Sequence, residues 1–387
     1  MMGYRTFAGR GPLRTALMIA AFAASGTAVA ACGSDDGGSA SKDDGAATAA
    51  ESSGVQQVTA LANELLKRPT SISITKPIGK PVPEGKEVVW ISCGVPACVT
   101  LGETFTEGAK ELGWKTRVIN TDGTPEKIKA AWSQAASSKP DGVASSGTDL
   151  SVVAPQLKQL EEADIPVALY AVPEKTNGVD VLVGDMQGEA ESYGEPMAAW
   201  IVKDSGGDAN TLLVTLPSFP ILAGLKQGFD STYKQGCADC GMKTLDLPLS
   251  ALGKDVPARI VSTLRANPNI DYVAMAVDDL TVGLPAALRA AGLADKVKII
   301  GATTGQTNIQ YIKAGQQAAG VPNAWYDDTW QLVDGLARIF VGEDPSVSEA
   351  TPPRMILVQD NLPDNTDVFP LVPDFREQFL KLWGKNA

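Results

Sequence analysis

Residues 88–102 read Val-Val-Trp-Ile-Ser-Cys-Gly-Val-Pro-Ala-Cys-Val-Thr-Leu-Gly. Positions 88–92 are rich in β-branched and aromatic residues and predict a strand. A loop with Gly94 and Pro96 follows, and then residues 101–112 carry helical spacing closed by Gly113. Strand, loop and helix are the first beat of a rhythm. Residues 115–120 read as a strand. Thr124-Pro125 opens a helix, a cap followed by proline at the first helical position. Residues 142–145 are a strand, 152–163 a helix, 165–170 a strand and 179–183 another. Strands alternating with amphipathic helices predict a parallel sheet with right-handed crossovers.

The rhythm then begins again. Residues 190–202 read as a helix, 211–215 as a strand, 221–233 and 256–266 as helices, 272–277 as a strand and 280–291 as a helix. A strand at 298–301 and helices at 308–314 and 329–341 complete it. The expected fold class is therefore α/β, with two doubly wound parallel-sheet lobes. In such sheets ligands bind in the crevice beyond the carboxyl ends of the strands, which here would lie between the lobes. Neither Gly-x-Gly-x-x-Gly nor a P-loop pattern follows any strand.

Upstream, residues 1–31 contain Arg5, Arg10 and Arg14 and no acidic residue, with an apolar core at about 16–24. This is the pattern of a secretory signal, too short in its core to span a bilayer. Val29-Ala30-Ala31-Cys32 resembles the bacterial lipobox, which implies cleavage before Cys32 and diacylation of its thiol. Residues 32–54 are mostly Gly, Ser, Ala and Asp and predict a disordered tether. Residues 55–86 read as a helix at 56–67, with Val58, Leu61 and Leu65 on one face, and then a proline-punctuated extended segment. No later stretch is apolar for long enough to cross a membrane.

Composition narrows the function classes. The chain has 387 residues, is 44% hydrophobic and carries a net charge of −12. That length suggests two domains, and the acidic balance argues against nucleic acid and anionic membranes as partners. The chain has no histidine. Ser-His and Cys-His catalysis and histidine metal ligation are excluded.

Several stretches resemble one family. They are Ser137-Ser138-Lys139-Pro140-Asp141-Gly142-Val143, Ala163-Asp164-Ile165-Pro166-Val167, Leu225-Lys226-Gln227-Gly228-Phe229, Ala276-Val277-Asp278-Asp279-Leu280-Thr281-Val282-Gly283, and Ile300-Gly301 followed by Ile312-Lys313-Ala314-Gly315-Gln316. In this order and spacing, over about residues 87–345, the chain resembles type I periplasmic solute-binding proteins, the ribose- and galactose-binding group. The resemblance implies a Venus-flytrap fold, a hinge of three crossing segments and delivery of a small molecule to the permease of an ABC importer. It also implies no cofactor, and a monomer is expected. The crossings would fall near residues 183–185, 301–304 and 356–359. The first lobe would comprise 87–184 plus 303–350, and the second 185–302 plus 351–387.

The family's sugar contacts carry over poorly. Where sugar binders often place Asp-Arg after the strand matching 165–170, Ala171-Val172 stand. Where they often place Arg three before Gly-Phe, Leu225 stands. Their Asn-Asp loop reads Val277-Asp278 or Asp278-Asp279, their Gly-Phe-Asp reads Gly301-Ala302-Thr303, and the Gln of the return segment matches Asn323. The expected ligand is less polyhydroxylated than free ribose or galactose, or held in a different pose. Candidate cleft residues are Cys93 and Gly94, Thr148 and Asp149 in the run from Ser146, Tyr170, Phe219, Asp278, Thr303, Asn323 and Trp325. Asp278 is the leading polar candidate. Asp149 and Asp279 also read as helix caps.

Five cysteines remain to be placed. With Cys32 lipidated, four are left, allowing three pairings in an oxidising compartment. Local pairs, Cys93–Cys98 and Cys237–Cys240, put no link across a cleft that must open. A four-thiolate zinc site would have to span both lobes, and a redox Cys-x-x-Cys would need its helix after the motif. The loop at 93–98 is thus expected to be a stapled rim. Two other function classes stand beside solute capture. One is a sensory module that presents a ligand to a membrane receptor. The other is a hydrolase using carboxylates from Asp149, Asp278 and Asp279.

Overall fold

In the computed structural model, residues 44–184, 191–363 and 369–385 are described. The signal, Cys32 and residues 32–43 of the expected tether lie outside them. The first sheet holds β1 (Glu87–Ile91), β2 (Lys115–Ile119), β3 (Gly142–Ser146), β4 (Val167–Tyr170) and β5 (Val181–Val183). They run parallel in the order β2-β1-β3-β4-β5. The second holds β6 (Asn210–Thr215), β7 (Gly241–Asp246), β8 (Tyr272–Met275), β9 (Lys298–Thr304) and β10 (Ala319–Pro322). Its order, β7-β6-β8-β9-β10, repeats that of the first.

Both sheets are covered on both faces, so their strands lack a polar side. In β1, Val88 and Trp90 enter a cluster with Phe105 of α2 (Pro96–Glu111), while Val89 and Ile91 meet Trp132 of α3 (Pro125–Ser138) and Leu157 of α4 (Leu150–Glu162). In the second lobe Leu213 and Ala274 face Met197 of α5 (Glu191–Ser205) and Phe229 of α6 (Leu222–Gly236). Leu212 and Val273 face Ile260 of α7 (Val256–Ala266) and Leu288 of α8 (Leu284–Ala291). Period-two alternation thus sends successive residues of one strand into different cores.

The structure moves several expected boundaries. The second sheet keeps the chain through α9 (Gln306–Lys313) and β10, so residues 303–322 belong with the second lobe and not the first. The second crossing falls at Asn323-Ala324, not at 301–304. β10 reads Ala-Gly-Val-Pro, an edge strand too short and too poor in β-formers to stand out. α10 (Trp325–Val341) then packs on the first lobe, where Trp330 stacks on Trp383 at 5.3 Å. Trp383 ends α11 (Phe375–Leu382), which therefore joins the first lobe and not the second. The third crossing lies before 356–359: Glu349 accepts from Leu182 N on the first lobe, and Leu357 already bridges Gly320 on the second.

Two further passages join the lobes. The first helix, α1 (Asp44–Leu65), begins inside the stretch expected to be tether. Its Val58 and Ala62 are buried in the second lobe, yet Ile72, Ile74 and Ile78 are buried in the first. The chain returns the same way between Leu371, packed with α9, and Val372, packed with α10. Arg68 ties the two passages, donating from Nε to Leu371 O at 3.0 Å and from Nη2 to Pro370 O at 2.8 Å. From Gly45 onward the chain forms one compact unit. No described helix is long and apolar enough to cross a membrane.

Candidate ligand-binding cleft

The carboxyl ends of the two sheets meet around a cavity of ≈ 110 Å³. The first lobe supplies Cys93 and Val95 after β1, Cys98 and Leu101 of α2, Ser146, Gly147 and Tyr170. The second supplies Leu216, Phe219, Leu222, Leu225, Leu252, Ala276, Val277 and Asp279. Tyr193, Thr303 and Asn323 close the hinge side. The described lining is mostly carbon and sulfur with few polar groups, and no Lys or Arg is among its described residues.

Cys93 and Cys98 are disulfide-bonded, as are Cys237 and Cys240, with Cα atoms 5.6 and 5.3 Å apart. The first bridge ties the β1 loop to the opening turn of α2 and forms part of the cleft wall. Between them Gly94 has φ +94°, and a Cβ there would stand 2.2 Å from Gly123 N. Only glycine lets this rim close on the loop after β2. Two non-glycine residues at the cleft, Ala171 (φ 53°) and Thr303 (φ 61°), hold left-handed backbone. Such strain of order 1–2 kcal/mol concentrates where a site is shaped against the chain's preference.

Of the candidates read from the sequence, Cys93, Tyr170, Phe219, Thr303 and Asn323 share this cavity. Five do not line it. Gly94 shapes the rim by its backbone. Thr148 is buried, its hydroxyl 3.1 Å from Ser145 Oγ. Asp149 is exposed and caps α4, accepting from Ser151 N at 3.0 Å. Trp325 is buried in the first-lobe core. Its indole fills packing space, while its carbonyl accepts from Thr329 Oγ1 at 2.7 Å.

The largest correction concerns Asp278. It is fully buried, and its carboxylate accepts from Gln317 Nε2 at 2.9 and 3.1 Å and from Thr281 Oγ1 at 2.8 Å. Asn308 Nδ2 donates to its backbone oxygen at 3.0 Å. A Cβ on Gly301 would lie 1.9 Å from Asp278 Oδ1, so glycine at 301 makes room for the carboxylate. Asp278 is a bolt between the turn after β8 and the β9–α9–β10 segment. Burial pushes its carboxyl up to about 7, against the pull of those hydrogen bonds.

Asp279 behaves oppositely. It caps no helix, lines the cleft, and its Oδ2 is buried without a hydrogen-bond partner. Burial alone raises its carboxyl above the ordinary aspartate range. Tyr193 was not foreseen either. Its hydroxyl bonds Asn323 Oδ1, and the Arg354 guanidinium lies 4.4 Å from its ring centre. Arg354 Nη1 stands 3.8 Å from Asp328 Oδ1, next to Asp327, whose carboxyl is raised to about 7 by burial. The hinge thus carries a buried charged cluster.

The sequence matches the Periplasmic binding protein domain family over residues 88–344. The chain belongs to that family. Periplasmic binding proteins are non-enzymatic and bind solutes outside the cytoplasm. The hydrolase alternative lacks its carboxylate pair too, with Asp278 locked in the interior and Asp149 exposed and not among the residues lining the cavity. No curated protein matches the sequence. Among solved periplasmic binding protein structures, the chain resembles a glucose-galactose binding protein from Geobacillus stearothermophilus: 19% identity, 73% of this chain and 100% of that one, TM-score 0.62. It also resembles a carbohydrate transporter from Acidothermus cellulolyticus in complex with myo-inositol: 18% identity, 72% and 95% covered, TM-score 0.61. A periplasmic ribose ABC transporter from Conexibacter woesei gives 18%, 73% and 95%, and 0.60. At these identities the likeness establishes a shared two-lobed fold. Among the described residues no group of three His, Cys, Asp or Glu side chains is placed to hold a metal.

Proposed function

We propose that this chain is an extracytoplasmic solute-binding lipoprotein, anchored through Cys32, that captures a small ligand with largely apolar faces and delivers it to the permease of an ABC importer. One observation carries the ligand reading: Tyr170, Phe219, Leu222, Leu225 and the Cys93–Cys98 bridge surround a cleft with one charged side chain among its described residues. Ala171 and Leu225 stand in it where sugar binders often place charged residues. A sugar's ring of hydroxyls would lose more water than these few polar side chains replace, at about 1–3 kcal/mol for each left unpaired. An apolar ring gains instead from burial, about 25 cal/mol per Å². The volume is on the order of the ~150 Å³ apolar cavity that accommodates benzene.

The test is a thermal-shift screen of ribose, glucose, galactose and myo-inositol against ring compounds with few hydroxyls, followed by calorimetry. Micromolar binding of an unmodified pentose or hexose would refute the apolar reading. Anchoring is tested by Cys32→Ala, which should release the protein from the membrane fraction or leave it unprocessed. Unchanged fractionation and unchanged mass would refute it. Delivery is tested by uptake of the identified ligand in cells lacking the gene; undiminished uptake would refute it.

A further inference from the structure

Asp279 and Asp278 are neighbours in sequence and opposites in environment. Asp278 has donors on both oxygens. Asp279 has a buried oxygen that accepts nothing, and no ion pair reaches it among the described residues. It is also the one charged side chain of the described cleft lining. A carboxylate among carbon atoms destabilises the empty protein unless a partner arrives. A donor on the ligand can supply that partner.

Two kinds of donor could fill the place. A hydroxyl would satisfy one oxygen. An ammonium would satisfy it and also neutralise the charge, which in a cleft of low polarity is the stronger interaction. The rest of the lining favours the second. The faces of Tyr170 and Phe219 attract a cation, and no Lys or Arg among the described lining residues competes for Asp279. We propose that the cleft takes a small ring-bearing amine, its ammonium on Asp279 and its ring between Phe219 and the Cys93–Cys98 bridge. This rests on the cleft being the ligand site of a solute-binding protein with apolar preference.

The experiment compares matched pairs on the purified full chain by calorimetry: phenethylamine with 2-phenylethanol, and tryptamine with tryptophol, with ribose and galactose alongside. The amines should bind at least about tenfold more tightly than the alcohols, about 1.4 kcal/mol, because both can donate to Asp279 and only the ammonium also neutralises its charge. Asp279→Asn should bring that ratio close to one, while leaving the melting temperature of the unliganded protein unchanged or higher. Asp279→Ser, checked by circular dichroism, should do the same. Equal binding of amine and alcohol, or a preference that survives both variants, overturns the amine assignment and leaves the apolar cleft standing. Failure of both amines to bind at millimolar concentration also overturns it. Binding of ribose or galactose with no binding by any ring compound removes the apolar reading, and this proposal with it.

Discussion

Asp278→Ala separates a structural bolt from a ligand contact. The substitution removes the acceptor for Gln317 Nε2 and Thr281 Oγ1 in an interior where both residues are buried. A buried donor left without its partner costs about 1–3 kcal/mol. Gln317 Nε2 keeps a bond to Ala319 O at 3.0 Å, and a hydroxyl can turn, so the lower part of that range applies to each. A total of roughly 2–4 kcal/mol follows, or a fall of about 4–16 °C in melting temperature at 2–4 °C per kcal/mol. Calorimetric unfolding measures it, and ligand titration of the same variant should change by less than about twofold, on the order of 0.4 kcal/mol. The charge makes a second, independent prediction. The folded carboxyl sits at about 7, above its unfolded value. Between those values the folded state holds a proton that the unfolded chain has lost. The contribution is therefore fully present below pH ~4 and is lost as pH rises toward 7, at up to about 1.4 kcal/mol per pH unit. Asp327, raised in the same way by burial, adds to the slope. Asp122 and Asp344 are held low by hydrogen bonds from Thr124 and Ser346, so their loss begins only at lower pH, outside this window. Wild-type protein should thus melt higher at pH 5.5 than at pH 7.5, and Asp278→Asn should flatten part of that rise. An unchanged melting temperature in Asp278→Ala together with lost ligand binding would refute the reasoning and return Asp278 to the cleft.

Further outcomes follow from the same geometry. The body without Cys32 should show no titratable thiol when denatured without reductant, and peptide maps should join Cys93 to Cys98 and Cys237 to Cys240; a Cys93–Cys237 link would contradict both pairings. Replacing Cys93 and Cys98 together by Ser should weaken ligand binding more than the same change at Cys237 and Cys240, because only the first bridge forms cleft wall; titration calorimetry reads the difference. Phe219→Ala should lower affinity for a ring compound about tenfold or more, from roughly 1.5 kcal/mol of lost burial, with little change in unfolding temperature since the ring is only half-buried. Arg68→Ala should cost about 0.5–1.5 kcal/mol and raise hydrogen exchange at residues 66–72 and 370–372 together, since one guanidinium ties the two passages. Exchange that rises in one passage alone would show that they are not coupled through Arg68.

Local pattern carries the layout of this molecule. The alternation of strands such as 88–92 and 142–145 with helices closed by Gly113 or opened by Pro125 is written in neighbouring residues, and hydrophobic periodicity needs no knowledge of the partner surface. The poverty of polar contacts in the cleft was legible at Ala171 and Leu225, because side-chain chemistry at a strand end or on a helix is independent of how the lobes meet, whereas Val172 is buried in the first-lobe core. Lobe membership was not legible. Residues 303–322 and the C-terminal helix follow β10's pairing with β9 and the stacking of Trp383 on Trp330, contacts between segments far apart in the chain. The roles of Asp278 and Asp279 were likewise settled by distance in sequence. Two identical side chains on one turn point in different directions. Gly301 and Gln317 converge on the first, and no described residue donates to the buried oxygen of the second. Burial and hydrogen bonding belong to such convergence, and only the folded chain creates it.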